Sequence, residues 1–483
     1  MCDALIIGAG MSGLAAGIRL AMFGQKVCIL ERHYAVGGLN SYYRLNDRNY
    51  DVGLHALTNF APRGAKQGPL PRLLRQLRIA WDDLDLAEQV SSAIDFPGAR
   101  LSFNNDPSLF ESEIARAFPG AHDSYQQLLA QLLDYDQLAQ PEAATSARQM
   151  LARTFSDPLL PEMLICPVLF YGGAREHDLD WGSFSVLFRA IFLEGLARPR
   201  GGIRGILRRL VRRFKELGGE LRLRAGVKRI AQHDEQAVGV ELDDGEEISA
   251  RQIISSAGWN ETVRLCERPE SAGDAGQVGQ PGRMTFLETI CTLDCQPREL
   301  GFDETIVFYN DSDRFGYACP PDFANLHAGI VCSPNNYQYG DGASKIEPSE
   351  GTVRLTALAN FDRWASLAPE EYQAQKHIWF KQLVESASRF VRDVKAHVVD
   401  HDTFTPTTVV RYTGHDQGAV YGAPEKHYDG RTPLENVFIC GADQGYVGIV
   451  GTLTSGIQIA NIILRQSSAV GVQPLGCTEQ AKA

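Results

Sequence analysis

The first apolar run, Ala4-Leu5-Ile6-Ile7, is short and unbroken, as a strand buried on both faces requires. It stops at Gly8, and the alanine-rich stretch Leu14 to Phe23 predicts a helix. A second unbroken run, Lys26-Val27-Cys28-Ile29-Leu30, predicts another strand that ends at Glu31. Much later, Ile203, Ile206, Leu207, Leu210, Val211, Phe214 and Leu217 recur at helical spacing, and Gly218-Gly219 stops that helix. "ELRLRAGVKRI" reads as the strand after it, and "QIISSAG" (252–258) as a further strand. "NVFICG" (436–441) is a strand leading into a helix that runs to about Leu464. Between these pieces, residues 61–199 read as mainly helical, with apolar three- and four-residue steps over 71–80, 108–118, 124–140 and 144–154. Residues 285–360 read as mainly extended, with "MTFLETICTLDC", "ETIVFYN", "HAGIVCS" and "TVRLTALA" as strands. An amphipathic helix over about 369–392 follows, with Pro369 in its first turn and Glu370 and Glu371 near its positive end. By composition 267–284 is a mobile loop, and the tail after 466 is disordered.

The first two strands enclose a chemical signal. In "DALIIGAGMSGLAAGIRL" the spacing is G-x-G-x-x-G. Gly8 permits the tight turn, Gly10 leaves room for a pyrophosphate, and Gly13 lets helix and strand pack closely. The helix presents its N-terminal amides to the phosphates. Glu31 can accept both hydroxyls of a ribose and would repel a 2′-phosphate. Gly37-Gly38-Leu39-Asn40-Ser41 is a second glycine turn, and "YDVGLHAL" (50–57) adds another glycine and His55. An NAD site needs neither piece, whereas a longer, permanently held flavin does, so the pattern predicts FAD.

Length and charge narrow the picture. The 483 residues suit two or three closely packed domains, and 44% hydrophobic with 22% charged residues is a soluble globular profile. A net charge of −12 argues against a nucleic-acid partner. Ten scattered cysteines without a C-x-x-C pair, no apolar run of eighteen residues and no basic leader together predict a cytoplasmic protein. One basic run stands out: Arg198, Arg200, Arg204, Arg208, Arg209, Arg212, Arg213 and Lys215. It is either the solvated face of a helix or a patch that docks on the anionic inner surface of a membrane. "MLICPVLFYGG" (163–173) and "FSVLFRAIFLEG" (184–195) line an apolar channel, touch lipid, or are ordinary core. No pattern speaks to oligomeric state.

Four blocks carry a resemblance: "GAGMSGLAAGIRLAMFGQKVCILERHYAVGGLNSYY…YDVGLHAL", "ARPRGGIRGILRRLVRRFKELGGELRLRAGVKRI", "TPTTVVRYTGHDQGAVYG" and "NVFICGADQGYVGIVGTLTSGIQIANIIL". In this order the chain resembles FAD-dependent amine oxidases and phytoene-desaturase-type enzymes. The histidine after Asp51-Val52-Gly53 is similar to that of the retinol saturase and carotenoid isomerase branch. The resemblance implies an α/β fold: a Rossmann-type FAD-binding domain assembled from 1–60, 200–265 and 400–466. An α+β substrate domain is inserted as 61–199 and 266–399, with 467–483 as the tail. It implies cofactor contacts from Gly8, Gly10, Gly13, Glu31, Arg32, Gly37, Gly38, Asn40, Ser41, Val227, Asp443, Gly448, Gly451 and Thr452. Val227 would meet adenine through its backbone and Asp443 a ribityl hydroxyl. The helix after Gly448 would face the flavin N1 and C2 carbonyl, where reduction places negative charge.

The activity so implied is hydrogen transfer on carbon–carbon bonds of a long apolar polyene or isoprenoid. Desaturation, isomerisation and saturation all fit. A flavin amine oxidase and a non-enzymatic prenyl carrier of the GDP dissociation inhibitor type are the alternatives. His55 is the catalytic candidate, as proton donor or base, or else a positioning residue. Tyr446 reads as a packing aromatic. His397 and His401 lack an acidic partner at metal-like spacing and read as structural, so no metal is expected. Cys291 and Cys295 read as buried thiols.

Overall fold

A computed structural model describes residues 1–135, 145–266, 278–340, 350–391 and 394–469, the last three by backbone alone. The apolar run at the start forms the strand Cys2–Ile7 at the centre of the first sheet. Val27–Glu31 and Glu247–Ser255 pair with it in parallel, one on each side. Glu220–Leu223 extends the sheet beyond Val27–Glu31, and Val437–Ile439 pairs in parallel with the end of Glu247–Ser255. In register, Leu5 lies between Cys28 and Ile253, all buried, which is why these strands read as continuous rather than alternating. The stretch "ELRLRAGVKRI" is two strands, not one. The chain breaks at Arg224, whose φ is +55°, and Val227–His233 then starts an antiparallel hairpin with Gln236–Leu242.

The opening helix, Met11–Ala21, packs against the closing helix, Gly448–Ala469. Their backbones nearly touch: a Cβ on Gly456 would lie 2.0 Å from the Ser12 carbonyl oxygen. The helix Ile203–Glu216 buries Ile203, Ile206, Leu207, Leu210 and Phe214 in the same core, as its periodicity predicts. The two ends of the chain and its middle thus form one layered unit.

The second sheet has seven strands in the order Val398–Phe404, Thr285–Leu293, Gly351–Ala359, Ala328–Cys332, Ile306–Asn310, Ser92–Phe96 and Ala99–Phe103. All neighbours are antiparallel except Ile306–Asn310 with Ser92–Phe96. The last two strands lie in a region that reads as helical. They form a hairpin closed by Pro97-Gly98, and Ile94, Phe96, Leu101 and Phe103 point into the core. Val398–Phe404 also belongs to this sheet, across residue 400, where the expected third cofactor segment begins. One face, through Leu287, Cys291, Val353 and Leu355, packs against the helix Pro369–Ala387, which ends five residues earlier than predicted. The other face meets the helix Leu159–Gly172. That helix is buried nearly all round, and with Trp181–Phe188 it is mostly core, while Phe170 and Tyr171 at its end line a cavity.

Within 61–199 the other helices are Pro69–Leu77, Pro107–Ala117, His122–Asp134 and Ala147–Thr154, and short helices Trp259–Leu265, Phe361–Ala365 and Pro406–Thr413 follow later; residues 136–140 and 144 of the predicted helical segments lie outside the described residues. Of the predicted loop, 267–277 also lies outside them. Residues 278–284 are anchored, with the Gly279 amide donating to Asn260 Oδ1 at 2.8 Å and Met284 buried. The closing helix continues to Ala469, past the expected start of the tail, whose residues 470–483 are not described. No helix among the described residues is long and apolar enough to cross a membrane.

The helix contact at Gly456 yields a test of this packing. Gly456→Val should cost at least about 1–3 kcal/mol by overpacking, read as a lower urea midpoint at unchanged m-value.

Candidate functional site

The site lies where the first sheet's loops face the second sheet, and it is one elongated cavity. Its first end is backbone. The strand Cys2–Ile7 turns at Gly8 (φ +93°), and the next amide, Ala9 N, donates to Glu31 Oε2 at 2.8 Å. Glu31 Oε1 accepts from His33 N at 2.9 Å. The acid therefore ties the ends of two neighbouring strands together, and each oxygen has capacity for a further donor. Gly13 sits under the turn, where a Cβ would lie 2.2 Å from the Gly8 carbonyl oxygen, so no larger residue fits. Gly37 N donates to the Ala9 carbonyl at 2.9 Å, which brings the second glycine turn beside the first. Gly10, Met11, Ser12, Gly37, Gly38 and Asn40 line this end, with Ser256 and Gly441 opposite.

At the middle stands Asp443, which is 4% exposed. Its oxygens accept the amides of Trp259 at 2.6 Å and Ala423 at 2.7 Å, so it pins two loops to the cavity wall. Lys426 Nζ is 3.8 Å away, and burial pulls its pKa down to about 8. His415 lines the same region. Burial opposes its charge, but Glu261 at 3.7 Å outweighs that and raises its pKa. Gly448, Ile449 and Thr452 bring the N-terminus of the closing helix to the cavity, with its positive dipole end facing in.

The far end is built by register. In the second sheet Phe404, Glu288, Thr356 and Ile330 are consecutive partners across four strands, so all four side chains point into the cavity. Phe286, Phe170, Tyr171 and Tyr421 enclose them. His55 Nε2 shares a hydrogen bond with Thr356 Oγ1 at 2.9 Å and lies 3.6 Å from Glu288 Oε1. Burial lowers the His55 pKa, and Glu288 opposes this only in part, so the imidazole is held neutral. Burial also works against the Glu288 carboxylate, but Arg354 and His55 together overcome it and hold the group ionised. Arg354 Nε donates to Glu288 Oε1 at 2.5 Å, and both side chains are almost fully buried.

The loop carrying His55 is held by three side chains from distant elements. Arg354 Nη1 donates to the Leu54 carbonyl at 2.8 Å, and Arg198 Nη1 donates to the same oxygen at 2.6 Å. Arg198 in turn pairs with Asp51 at 2.6 Å, and the Tyr337 hydroxyl donates to the His55 carbonyl at 2.8 Å.

The predicted residues separate into groups. Gly10, Gly37, Gly38, Asn40, His55, Asp443, Gly448 and Thr452 converge on this cavity. Glu31 and Ser41 border an adjoining cavity that shares Gly38 and Leu39 with it. Gly8 and Gly13 shape the turn from beneath. Arg32 is exposed and reaches the Arg411 carbonyl at 3.2 Å. Val227 lies outside the lining, just past a turn tied to the second strand by Ala225 N donating to the Glu31 carbonyl. Gly451 and Tyr446 border a neighbouring groove that shares Thr58 and Val447 with the cavity. His401 stacks on Phe380 at 3.6 Å between ring centres, whereas His397 does have an acidic partner, Asp294, at 2.9 Å. Cys295 joins that pair at the surface, with donor atoms of all three within 4.8 Å, and only Cys291 of the two thiols is fully buried. In the basic run Arg198 is core, Arg200, Arg209 and Arg213 pair with acids, and Arg204 lies over Tyr42. Arg208, Arg212 and Lys215 remain exposed. Sequence reasoning passed over Glu288, Arg354, Thr356, His415 and Tyr171. The signal for the first two was a charge at an inward position of an otherwise apolar strand, in "TFLETICTL" and "TVRLTALA".

Residues 11–269 match the family described as flavin containing amine oxidoreductase, more than half of the chain. The chain belongs to that family. As a member it is an FAD-dependent oxidoreductase, and the elongated cavity with its glycine-backbone end suits that dinucleotide. Among relatives, it is 23% identical to all-trans-retinol 13,14-reductase of Danio rerio, over 96% of this chain and 86% of that one. It is 21% identical to the chloroplastic prolycopene isomerase of Daucus carota, over 88% and 72%. Of solved structures, an oxidoreductase from Methanosarcina mazei superposes with a TM-score of 0.64 at 16% identity, over 95% of this chain and 99% of that one. Putrescine oxidase bound to putrescine superposes at 0.62 and 18%, over 96% and 99%. At such identities these structures speak for the fold.

The buried ion pair of this flavoprotein makes a sharp stability test. Arg354→Met leaves Glu288 charged and unpaired and should cost about 3–5 kcal/mol in urea unfolding, whereas Arg354→Met with Glu288→Leu should recover most of that loss.

Proposed function

We propose that this flavoprotein moves hydrogen on carbon–carbon bonds of a long apolar polyene or isoprenoid. One observation carries the reading: relatives whose names state polyene substrates align with nearly the whole chain, and the far end of the cavity is aromatic and apolar on every side but one. That one side is the His55–Thr356–Glu288 row. The carboxylate at the apolar end, Glu288, is paired with Arg354, so among the described lining no free carboxylate stands there to draw a cationic amine. The first sheet with its helices would form the cofactor domain. The second sheet with the helices between 107 and 188 would form the substrate domain, and the chain passes between them after Phe404.

In this reading the amides of Gly10 to Ser12, at the N-terminus of the opening helix, would hold the diphosphate. Glu31 would accept the hydroxyls of the adenosine ribose. Asp443 would hold the loops around the rest of the cofactor. The N-terminus of the closing helix would favour negative charge on the flavin. When bound, FAD supplies a hydride acceptor or donor at its N5. The chain supplies the rest. Phe170, Phe286 and Tyr421 exclude water and lay the apolar chain flat. His55 holds or takes the proton that saturation or desaturation needs at the neighbouring carbon, and Thr356 fixes its ring. Because burial keeps His55 neutral below the ordinary value of 6.5, its capacity as a base persists into mildly acidic solution.

Three experiments test this. Acid release from the purified protein should yield FAD. Oxidised holoenzyme under anaerobic conditions should be bleached, or reduced holoenzyme reoxidised, by members of a polyene panel and by no small amine; bleaching by amines alone would refute the reading. His55→Gln should lower kcat by about a hundredfold. The wild-type acid limb of kcat should fall below pH 6.5 and be absent from the variant.

A further inference from the structure

The face around the helix Pro69–Leu77 is positively charged, in a chain whose net charge is −12. That helix buries Leu70, Leu73, Leu74 and Leu77 in the core it shares with the opening and closing helices, and leaves Arg72 and Arg75 exposed. Arg78, just past its end, is exposed too. Exposed Lys66 lies beside them, because its carbonyl accepts from Arg75 Nη1 at 2.8 Å. The helix Ile203–Glu216 is a neighbour, with Arg213 Nε donating to the Leu77 carbonyl at 3.4 Å, and it adds the exposed Arg212. The acids at hand are taken: Asp82 by Arg63, Asp83 by Arg209 and Glu216 by Arg213. Arg212 is near enough to Asp83 to be felt, yet no acid among the described residues pairs with Lys66, Arg72, Arg75, Arg78 or Arg212. Most of this surplus lies outside the basic run read from the sequence.

A groove opens on this face and leads inward. Arg72 and Leu73 line it, with Val450 and Ile457 of the closing helix and Leu187 of the helix Trp181–Phe188. Thr58 and Val447 line both the groove and the cavity, so the two meet there. The junction is at the end of the helix Leu159–Gly172, where a Cβ on Gly172 would lie 2.9 Å from Val447 Cγ2. Two residues earlier, Phe170 lines the aromatic end of the cavity. Arg72 belongs to the basic face and to the groove wall alike, so the positive charge stands at the groove's mouth.

Surplus positive charge attracts polyanions of every kind. Nucleic acid or an acidic protein would have no use for a passage from the docking face to an aromatic cavity. An anionic bilayer has one, because it is both a polyanionic surface and the phase in which long apolar chains dissolve. We propose that Lys66, Arg72, Arg75, Arg78 and Arg212 dock the protein on an anionic lipid surface, and that the groove passes an apolar chain from the bilayer to the aromatic end of the cavity. The docking stands on charge and position alone; the passage rests on the polyene reading above.

The test uses the FAD-loaded protein and two fourfold variants. One carries Lys66→Gln, Arg75→Gln, Arg78→Gln and Arg212→Gln. The other removes the same charge from exposed positions on other elements, through Arg153→Gln, Arg298→Gln, Arg314→Gln and Lys381→Gln. The wild type should co-sediment with vesicles of phosphatidylglycerol and phosphatidylcholine, less so as salt rises, and not with phosphatidylcholine alone. The first variant should bind about fivefold more weakly for each cation removed, more than a hundredfold in all, and the second should bind nearly as the wild type does. Absence of wild-type binding, equal losses in the two variants, or tighter binding to a short DNA duplex than to the vesicles would overturn the docking and spare the polyene reading, since no substrate is present. The flavin's reaction with a polyene tests the passage: the first variant should keep the wild-type rate on polyene dispersed in detergent and lose it on polyene carried in the vesicles. Equal rates on vesicles would overturn the passage, and no reaction of the wild type with polyene in either form would overturn the polyene reading while leaving the docking in place. Should the first variant lose its flavin, the lipid and salt dependence of the wild type decides.

Discussion

The carbonyl oxygen of Leu54 is the point on which the site depends. Two buried guanidinium groups, from Arg198 and Arg354, both donate to it. Each brings its own counter-charge, Asp51 and Glu288. A buried cation is tolerable only when paired and hydrogen-bonded, so each guanidinium depends on its own carboxylate, and the two pairs meet at one carbonyl. The consequence is geometric. Asp51 ends a strand that precedes the loop, Arg198 comes from the segment before the third core helix, and Arg354 and Glu288 come from the second sheet. Elements more than a hundred residues apart converge on one peptide, and the next residue is His55.

That convergence gives the cavity two unlike ends. The first is polar because it is backbone: glycines at 10, 37 and 38 and the N-terminus of the opening helix present amides rather than side chains. The second is apolar because antiparallel register puts every second residue of four strands on one face, and those residues are chiefly large and apolar. The His55–Thr356–Glu288 row is the exception set into that face, and Arg354 makes it affordable. A long dinucleotide and an apolar chain can meet there without either entering the other's surroundings.

The nucleotide half was legible in the sequence because its determinants are local. The G-x-G-x-x-G turn, the unbroken strands and the periodicity from Ile203 to Leu217 each lie within a few dozen residues, and the structure forms them where the pattern places them. His55 was also legible, from a short segment. Its partners were not. Glu288, Arg354 and Thr356 meet through strand register, which depends on how Thr285–Leu293 and Gly351–Ala359 align across 66 residues of chain, and no local pattern encodes that. The same limit explains the missed hairpin at Ser92–Phe103. Its strands are short, and they join a sheet whose next member, Ile306–Asn310, lies two hundred residues away. The acidic partner of His397 was hidden for a like reason, since Asp294 reaches it only once the two strands have paired.

The most direct test of the account is a crystal structure of the holoprotein. It should show the ring system of FAD between the N-terminus of the closing helix and the His55–Thr356 row, with the diphosphate against Gly10 to Ser12 and Leu54 still held by both arginines. A ring system bound elsewhere, or a cavity closed by Phe286 and Tyr421 with the cofactor outside it, would contradict the account.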